Sequence, residues 1–320
     1  AVTLSTGETL GYDVLSLNVG SEPVATEPVT TKSAATATAT TPVSAQPEPG
    51  RDLFPVKPIV ELARARSAIE AQCLRSGSCR IAVVGGGPAG GEVAANAAFL
   101  VAQLGAGPRS KIDLYSAPRS LAHLTERRSS WVEGFLKDHD VFTHYGSKVS
   151  PRALDSDVIL IASGIRPPRS LERFGLPLGS DGAVTVDRFL RSPAAPEVFA
   201  VGDSAWFEPE PLNRVGVFAV RMQSILADNI EATAQAIDRG HKVDQTMLSP
   251  FQATGRYLVA LNLGFETGFL HRGRICMHGK AAFRLKDRID RAFVRRYQNR
   301  NETPRMHRQS GSVPHASRDT

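Results

Sequence analysis

Residues 85–90 read Gly-Gly-Gly-Pro-Ala-Gly, and what flanks them constrains the fold more than any other feature of the chain. Arg80–Val84, just before, is a short apolar run of the kind that forms a buried strand. After the glycines, Val93, Ala97, Leu100 and Leu104 recur at helical spacing, and Gly105 and Gly107 close the segment. Lys111–Tyr115 then reads as a second strand. A glycine turn that leaves a strand and opens a helix presents unpaired N–H groups to an anion. In such a turn Gly85 permits the tight bend, Gly87 lets the backbone approach a pyrophosphate, and Gly90 lets helix and strand pack closely, with Pro88 and Ala89 opening the helix between them. The β-α-β context, not the glycine pattern alone, distinguishes a dinucleotide loop from an ordinary glycine-rich turn.

The rest of the chain extends this pattern. A hairpin and a buried strand are expected over Val2–Ser21. Residues 22–53, rich in Thr, Ala, Pro, Ser and Val, lack periodicity and read as a linker or insertion. A helical stretch ends before Gly77, and strands are expected at Val141–Tyr145 and Val158–Ala162 around an amphipathic stretch that ends at Asp138. Strands alternating with helices argue for a parallel sheet covered on both faces. Further on come an extended piece at Ala183–Val186, a strand at Val198–Val201 and a long helix from Val217 to Asp238. Phe251–Leu263 and Gly268–Cys276 read as a hairpin, followed by a basic helix over residues 280–300.

Charge and composition exclude several classes. Residues 280–300 hold eight basic residues against Asp287 and Asp290, whereas residues 1–279 sum to about −1, so the body is no nucleic-acid surface. Apolar runs such as Ile81–Val84 fall far short of the roughly 18 residues of a membrane span. Three cysteines, Cys73, Cys79 and Cys276, lack the spacing of a redox or zinc pair and suit a reducing compartment. No two histidines stand at the spacing that places metal ligands on one helix face, so no protein-bound metal is expected. The start, Ala1-Val2-Thr3-Leu4, reads as a chain cut in mid-domain.

Which dinucleotide binds depends on the end of the second strand, where NAD sites offer an acidic residue to the ribose. Here the sequence is Tyr115-Ser116-Ala117-Pro118-Arg119; Ser116 is no anionic acceptor, and Arg119 either meets a 2′-phosphate of NADPH or is a solvated helix-start residue. A second strand-to-glycine turn, Val198-Phe199-Ala200-Val201-Gly202-Asp203, ends in a carboxylate. With Val215–Arg221 after it, this turn resembles the two-dinucleotide-fold flavoproteins. The resemblance implies that Asp203 holds the ribityl chain of FAD beside Gly202. It also implies that backbone groups near Val220 and Arg221, at a helix start, face the reduced flavin. Met222 stands where a Gln commonly follows that Arg, with Gln223 one residue later.

Within this superfamily of FAD-dependent pyridine nucleotide-disulfide oxidoreductases, the chain is similar to type II NADH dehydrogenases and to the oxidoreductase domain fused to selenide, water dikinase. The matches are Gly7–Asp13, Gly90-Gly91-Glu92, Ile161–Gly164, Gly202-Asp203 and Lys286–Arg291. The resemblance places Glu92 near the nicotinamide ribose, though a dipole-favoured first-turn residue is the plainer reading, and puts Gly164 near the cofactor crossing. It implies a first glycine-rich β-α-β unit for the adenosine half of FAD; no copy occurs in these 320 residues, and we expect it upstream of Ala1. Between Gly146 and Asp157 the chain is shorter than its relatives, as if a hairpin were lost.

The expected fold is α/β. A three-layer NAD(P) domain (54–168) is inserted in an incomplete FAD domain (1–21 and 169–245), and a small α+β region (246–300) and a disordered tail (301–320) follow. The expected activity moves hydride from NAD(P)H to FAD and electrons onward to a quinone-like acceptor, with cofactor-binding residues and no catalytic side chain. Its rival is a non-catalytic NAD(P)H-binding or regulatory module. The protein is expected in the cytoplasm and allows a homodimer. In the basic helix Leu285, Ile289, Phe293 and Tyr297 make one apolar stripe. The simpler expectation packs it on the flavin domain; the other lays it on an anionic membrane surface.

Overall fold

The computed structural model describes residues 1–24, 52–117, 124–146, 149–253 and 257–298. Strands β1 (Val2–Thr3) and β2 (Thr9–Leu10) form an antiparallel hairpin, and β3 (Leu15–Leu17) follows. The segment expected to be a linker is ordered at both margins. Glu22–Pro23 form β4 and Asp52–Pro55 form β5, because partner strands further along the chain take up their backbone groups. Residues 25–51 and the tail from 299 lie outside the described residues.

After β5 come α1 (Val60–Ser76), β6 (Arg80–Val84), α2 (Pro88–Gln103), β7 (Lys111–Ser116), α3 (Glu126–Asp138), β8 (Val141–Tyr145) and β9 (Val158–Ile161). The five strands run parallel in the order β5-β9-β6-β7-β8. Gly77 stops α1 by taking φ 70° and returning its N–H to the Cys73 carbonyl at 2.8 Å. After the exposed Arg80 the central strand β6 is an apolar run, as is all of β9, in keeping with strands buried on both faces. On one face Ile81, Val83, Ile112, Leu114 and Leu160 meet Ala65 and Ile69 of α1, Ala94, Ala98 and Val101 of α2, and Val132 and Leu136 of α3. Each fully buried Ile or Leu there contributes about 1.5–3 kcal/mol. The other face, with Ala82, Val84, Ile159 and Ile161, is covered by Tyr115, Val149 and Leu154 rather than by helices. Since β6 has β7 on one side and β9 on the other, the chain order reverses between β6 and β9. Open parallel sheets bind ligands at that switch point, beyond the strands' carboxyl ends.

The chain leaves the sheet through β10 (Ile165–Arg166), which pairs antiparallel with β4. Next come β11 (Val184–Val186), β12 (Arg191–Ser192), β13 (Ala195–Ala200) and β14 (Ala205–Phe207); β11 runs parallel to β14, and β13 lies between β12 and β3. Helix α4 (Gly216–Asp238) sets Phe218 and Met222 against Leu17, Val198, Phe199 and Val201.

The expected C-terminal hairpin is instead a three-stranded antiparallel sheet, β15 (Val259–Asn262), β16 (Gly268–Arg272) and β17 (Ile275–Gly279). Gly273, at φ 58°, reverses the chain inside what reads as one strand. Helix α5 (Lys280–Gln298) buries Ala282 against this sheet, so closely that a Cβ on Gly268 would lie 2.5 Å from the Phe283 nitrogen. The apolar stripe of α5 is not packed on the flavin domain as expected. Leu285, Ile289 and Phe293 are 43%, 42% and 45% exposed, because α5 docks through its first two turns and the described residues from 288 on are exposed; the Tyr297 side chain is outside the described residues.

Candidate dinucleotide and flavin site

The glycine loop sits at the switch point. Gly85 takes φ 128° and donates its N–H to the Tyr115 carbonyl at 2.8 Å; a Cβ there would meet the Ala162 carbonyl oxygen at 2.2 Å. A Cβ on Gly90 would fall 1.7 Å from the Gly85 carbonyl oxygen, so helix and turn touch backbone to backbone. Around Gly87 the situation is opposite: nothing lies within 4 Å of its Cβ position. Gly87 caps α2 without side-chain help, and Pro88 begins the helix at the position where its missing N–H costs nothing. Glycine is therefore sterically required at 85 and 90, while at 87 it leaves open space before a helix N-terminus. That is the shape a pyrophosphate needs.

Ser116 ends β7, buried beneath the loop, where its Oγ would stand 1.9 Å from a Cβ on Gly86. Arg119 lies outside the described residues. Gly164, at φ 122°, accepts the Val24 N–H at 3.1 Å, which puts it beside the β4–β10 pair.

The second turn follows β13. Gly202 takes φ 61° with its Cβ position 3.0 Å from the Ala219 Cβ, and its N–H donates to the Met222 sulfur at 3.4 Å. Met222, unusual by resemblance, is thus a buried prop beneath this turn. The Asp203 carboxylate accepts from Ser21 Oγ at 2.7 Å and from Lys57 Nζ at 3.1 Å, and Lys57 also donates to Ser21 Oγ at 2.8 Å. Sequence reasoning missed Lys57 and Ser21, which are 146 and 182 residues from Asp203; only the fold joins them. One expectation is corrected here. Val220 and Arg221 are the fifth and sixth residues of α4, beyond the turn whose N–H groups lack intrahelical partners. The helix-start N–H groups belong to the turn that opens at Gly216, in which the Phe218 N–H bonds to the Val215 carbonyl at 3.0 Å.

Glu92 lies in the second turn of α2, not the first, so the plainer dipole reading does not describe it. Its Oε1 accepts the Asn262 N–H at 2.9 Å, and Lys286 Nζ stands 3.9 Å away. Burial raises its pKa above the ordinary carboxylate value, against the lowering effects of the Asn262 N–H and of Lys286. Glu92 thereby ties the dinucleotide helix to the C-terminal region. Lys57, Ala89 and Glu92 line one cavity, and the Lys57 side chain also bonds to the Asp203 turn.

The fold brings Cys73 and Cys79 together, which their spacing does not suggest. Both are buried, and burial pushes the Cys79 thiol up to about 12, far from the thiolate a redox dithiol uses. Among the described residues no group of His, Cys, Asp or Glu is arranged to hold a metal ion, and no helix is long and apolar enough to cross a membrane.

A glycine loop at the switch point of a parallel sheet, together with a second glycine-acid turn after β13, defines a two-dinucleotide-fold α/β protein. The chain belongs to the pyridine nucleotide-disulphide oxidoreductase family, whose sequence model matches residues 2–240. No curated protein matches it in sequence. Among solved structures it is similar to NDH2 from Plasmodium falciparum in complex with NADH, at 13% identity and TM-score 0.62, covering 89% of this chain and 74% of that one. It is also similar to reduced CoADR-RHD of Bacillus anthracis, at 20% identity and TM-score 0.56, covering 88% of this chain and 46% of that one. The water-forming NADH oxidase of Lactobacillus brevis bound to NADH has 18% identity and TM-score 0.54, with 87% and 55% covered. The chain thus spans about half the length of two of these three. Such likeness shows the fold.

Proposed function

We propose that this chain forms the NAD(P)H-binding part and a share of the FAD-binding part of a flavin-dependent NAD(P)H oxidoreductase. The observation that carries this reading is the open cradle at Gly87, closed on both sides by backbone contacts that exclude a side chain at Gly85 and Gly90. A pyrophosphate fits there, and the turn at Gly202 and Asp203 suits a ribityl chain; neighbours of this fold are described with NADH bound. When bound, the nicotinamide and flavin supply the hydride chemistry. The residues bind and orient. Gly87 and the start of α2 hold the dinucleotide, and Asp203 offers a carboxylate to hydroxyl groups. Gly216 and Val217 open α4, whose positive dipole end favours negative charge. Glu92 and Gly164 are the residues we place beside the nicotinamide half, Ser116 and Arg119 those beside the adenosine ribose. No side chain is assigned a proton-transfer role, since stacked rings suffice for hydride transfer.

The acceptor we propose is quinone-like, reached at a membrane surface through α5, whose exposed Leu285, Ile289 and Phe293 are surrounded by basic residues. One observation favours the non-catalytic module: the Asp203 carboxylate is already bonded to Lys57 and Ser21. Absorbance of the protein purified with added FAD decides between them. Yellow protein bleached by NADH supports the oxidoreductase; colourless protein that still binds NADH supports the module.

A further inference from the structure

A cavity of about 630 Å3 opens between α1 and α2 on the helical face of the five-stranded sheet. Leu62, Ala65 and Ile69 of α1 form one wall, Val93, Ala97 and Leu100 of α2 the other, and Leu160 of β9 lies at its base. Neighbouring helices ordinarily interlock, and protein interiors keep almost no voids larger than a water molecule. Here Ala65 and Ala97 are too small to close the gap. Its volume falls within the range of small-molecule sites, roughly 300–1,000 Å3. Its lining on α2 runs from Ala89 to Gln103, about 21 Å at the α-helical rise, and on α1 from Leu62 to Ile69, about 10 Å. So long and apolar a slot suits an extended hydrocarbon chain.

Lys57 and Glu92 stand at the end near the carboxyl edge of the sheet, Arg66 and Asn96 lie along the walls, and Gln103 closes the far end. Each charged side chain of the wall already has an ionic partner: Lys57 with Asp203 at 3.1 Å, Arg66 with Glu70 at 2.8 Å, and Glu92 with Lys286 at 3.9 Å. A headgroup there meets hydrogen-bonding atoms and no uncompensated charge. We propose that the α1–α2 slot binds a neutral single-chain lipid, its hydroxyl or carbonyl head at Lys57 and Glu92 and its tail running toward Gln103. The apolar walls belong to α1, α2 and β9, whereas the head end shares Lys57 with the Asp203 turn and Glu92 with the position proposed for the nicotinamide half, so a bound lipid head and the nicotinamide would compete there.

Nile red fluorescence tests it. The whole chain should enhance the dye, cetyl alcohol should displace it, and palmitate should compete at least about tenfold less well. Ala97→Phe fills the slot and Leu100→Gln makes its wall polar; each should weaken dye and alcohol at least about tenfold with circular dichroism unchanged. If Ala97→Phe does not fold, Leu100→Gln, at a partly buried position, carries the test. Ile275→Glu, at an exposed position of β17 outside the slot, should leave binding intact. NADH titrated in parallel reports the dinucleotide loop separately, so loss of one does not imply loss of the other. No enhancement by the wild-type chain, full affinity in folded slot variants, or palmitate as strong as the alcohol would overturn the proposal.

Discussion

The Lys57 ammonium stands 3.1 Å from the Asp203 carboxylate, joining the loop before α1 to the turn after β13. The Lys57 side chain is 42% exposed, so this ion pair adds little to stability, on the order of 1 kcal/mol or less. Its consequence is positional. Asp203→Ala should lower FAD affinity while leaving NADH affinity unchanged, and Lys57→Met should shift the unfolding midpoint only slightly. Flavin fluorescence quenching, calorimetry with NADH and a urea melt check the three statements; equal loss of both nucleotides would contradict the assignment of Asp203.

At the glycine loop, two substitutions should separate binding from folding. Gly87→Val places its side chain in open space, so the fold should hold while NADH binding disappears. Gly90→Ala drives a Cβ into the Gly85 carbonyl oxygen and should cost about 1–3 kcal/mol in stability. Calorimetric titration and thermal melts of both proteins distinguish these effects.

Glu92 makes stability depend on pH. Its pKa is raised in the folded state by burial, so between the ordinary carboxylate pKa and the raised value the folded chain holds more proton than the unfolded one. Stability from this group therefore falls as pH rises through that window and stays lower above it. Glu92→Gln keeps an oxygen for the Asn262 N–H and should remove the dependence, which urea unfolding across a pH series would reveal.

From Ser116 and Arg119 in sequence, NADPH should bind at least as well as NADH, and Arg119→Ala should weaken NADPH selectively. Paired titrations before and after the substitution decide; an NADH preference that the change leaves untouched would remove Arg119 from the site.

Helix α5 should bring the protein down with anionic vesicles at low salt. The binding should fall sharply with added salt, and also when Arg291, Arg295 and Arg296 become Glu. Co-sedimentation measures it, and absence of vesicle binding at low salt would leave the exposed stripe without this role.

Local signals explain how much was legible. Gly77, Gly85 and Gly90 each act within a few residues of where they stand, so the boundaries of α1, β6 and α2 follow from sequence. Hidden features depended on distant partners. Glu22–Pro23 carries no strand signal until Ile165–Arg166 lies beside it, and Asp203 gives no hint of Lys57 or Ser21. The extra C-terminal strand was masked because one glycine at 273 sits in an otherwise continuous run. The start of α4 was legible, expected at Val217 and found at Gly216, whereas placing flavin-facing donors near Val220 and Arg221 came from the resemblance and not from that boundary.

The β4–β10 pair has a bearing on ancestry. Outgoing and returning strands are hydrogen-bonded neighbours, Ile165 opposite Pro23 and Arg166 opposite Glu22, so the chain enters and leaves the parallel-sheet unit at one place. A unit with adjacent ends can be acquired, exchanged or shed by a single recombination event without rerouting the host chain. Lineages that modify one nucleotide-binding unit can therefore leave the other intact.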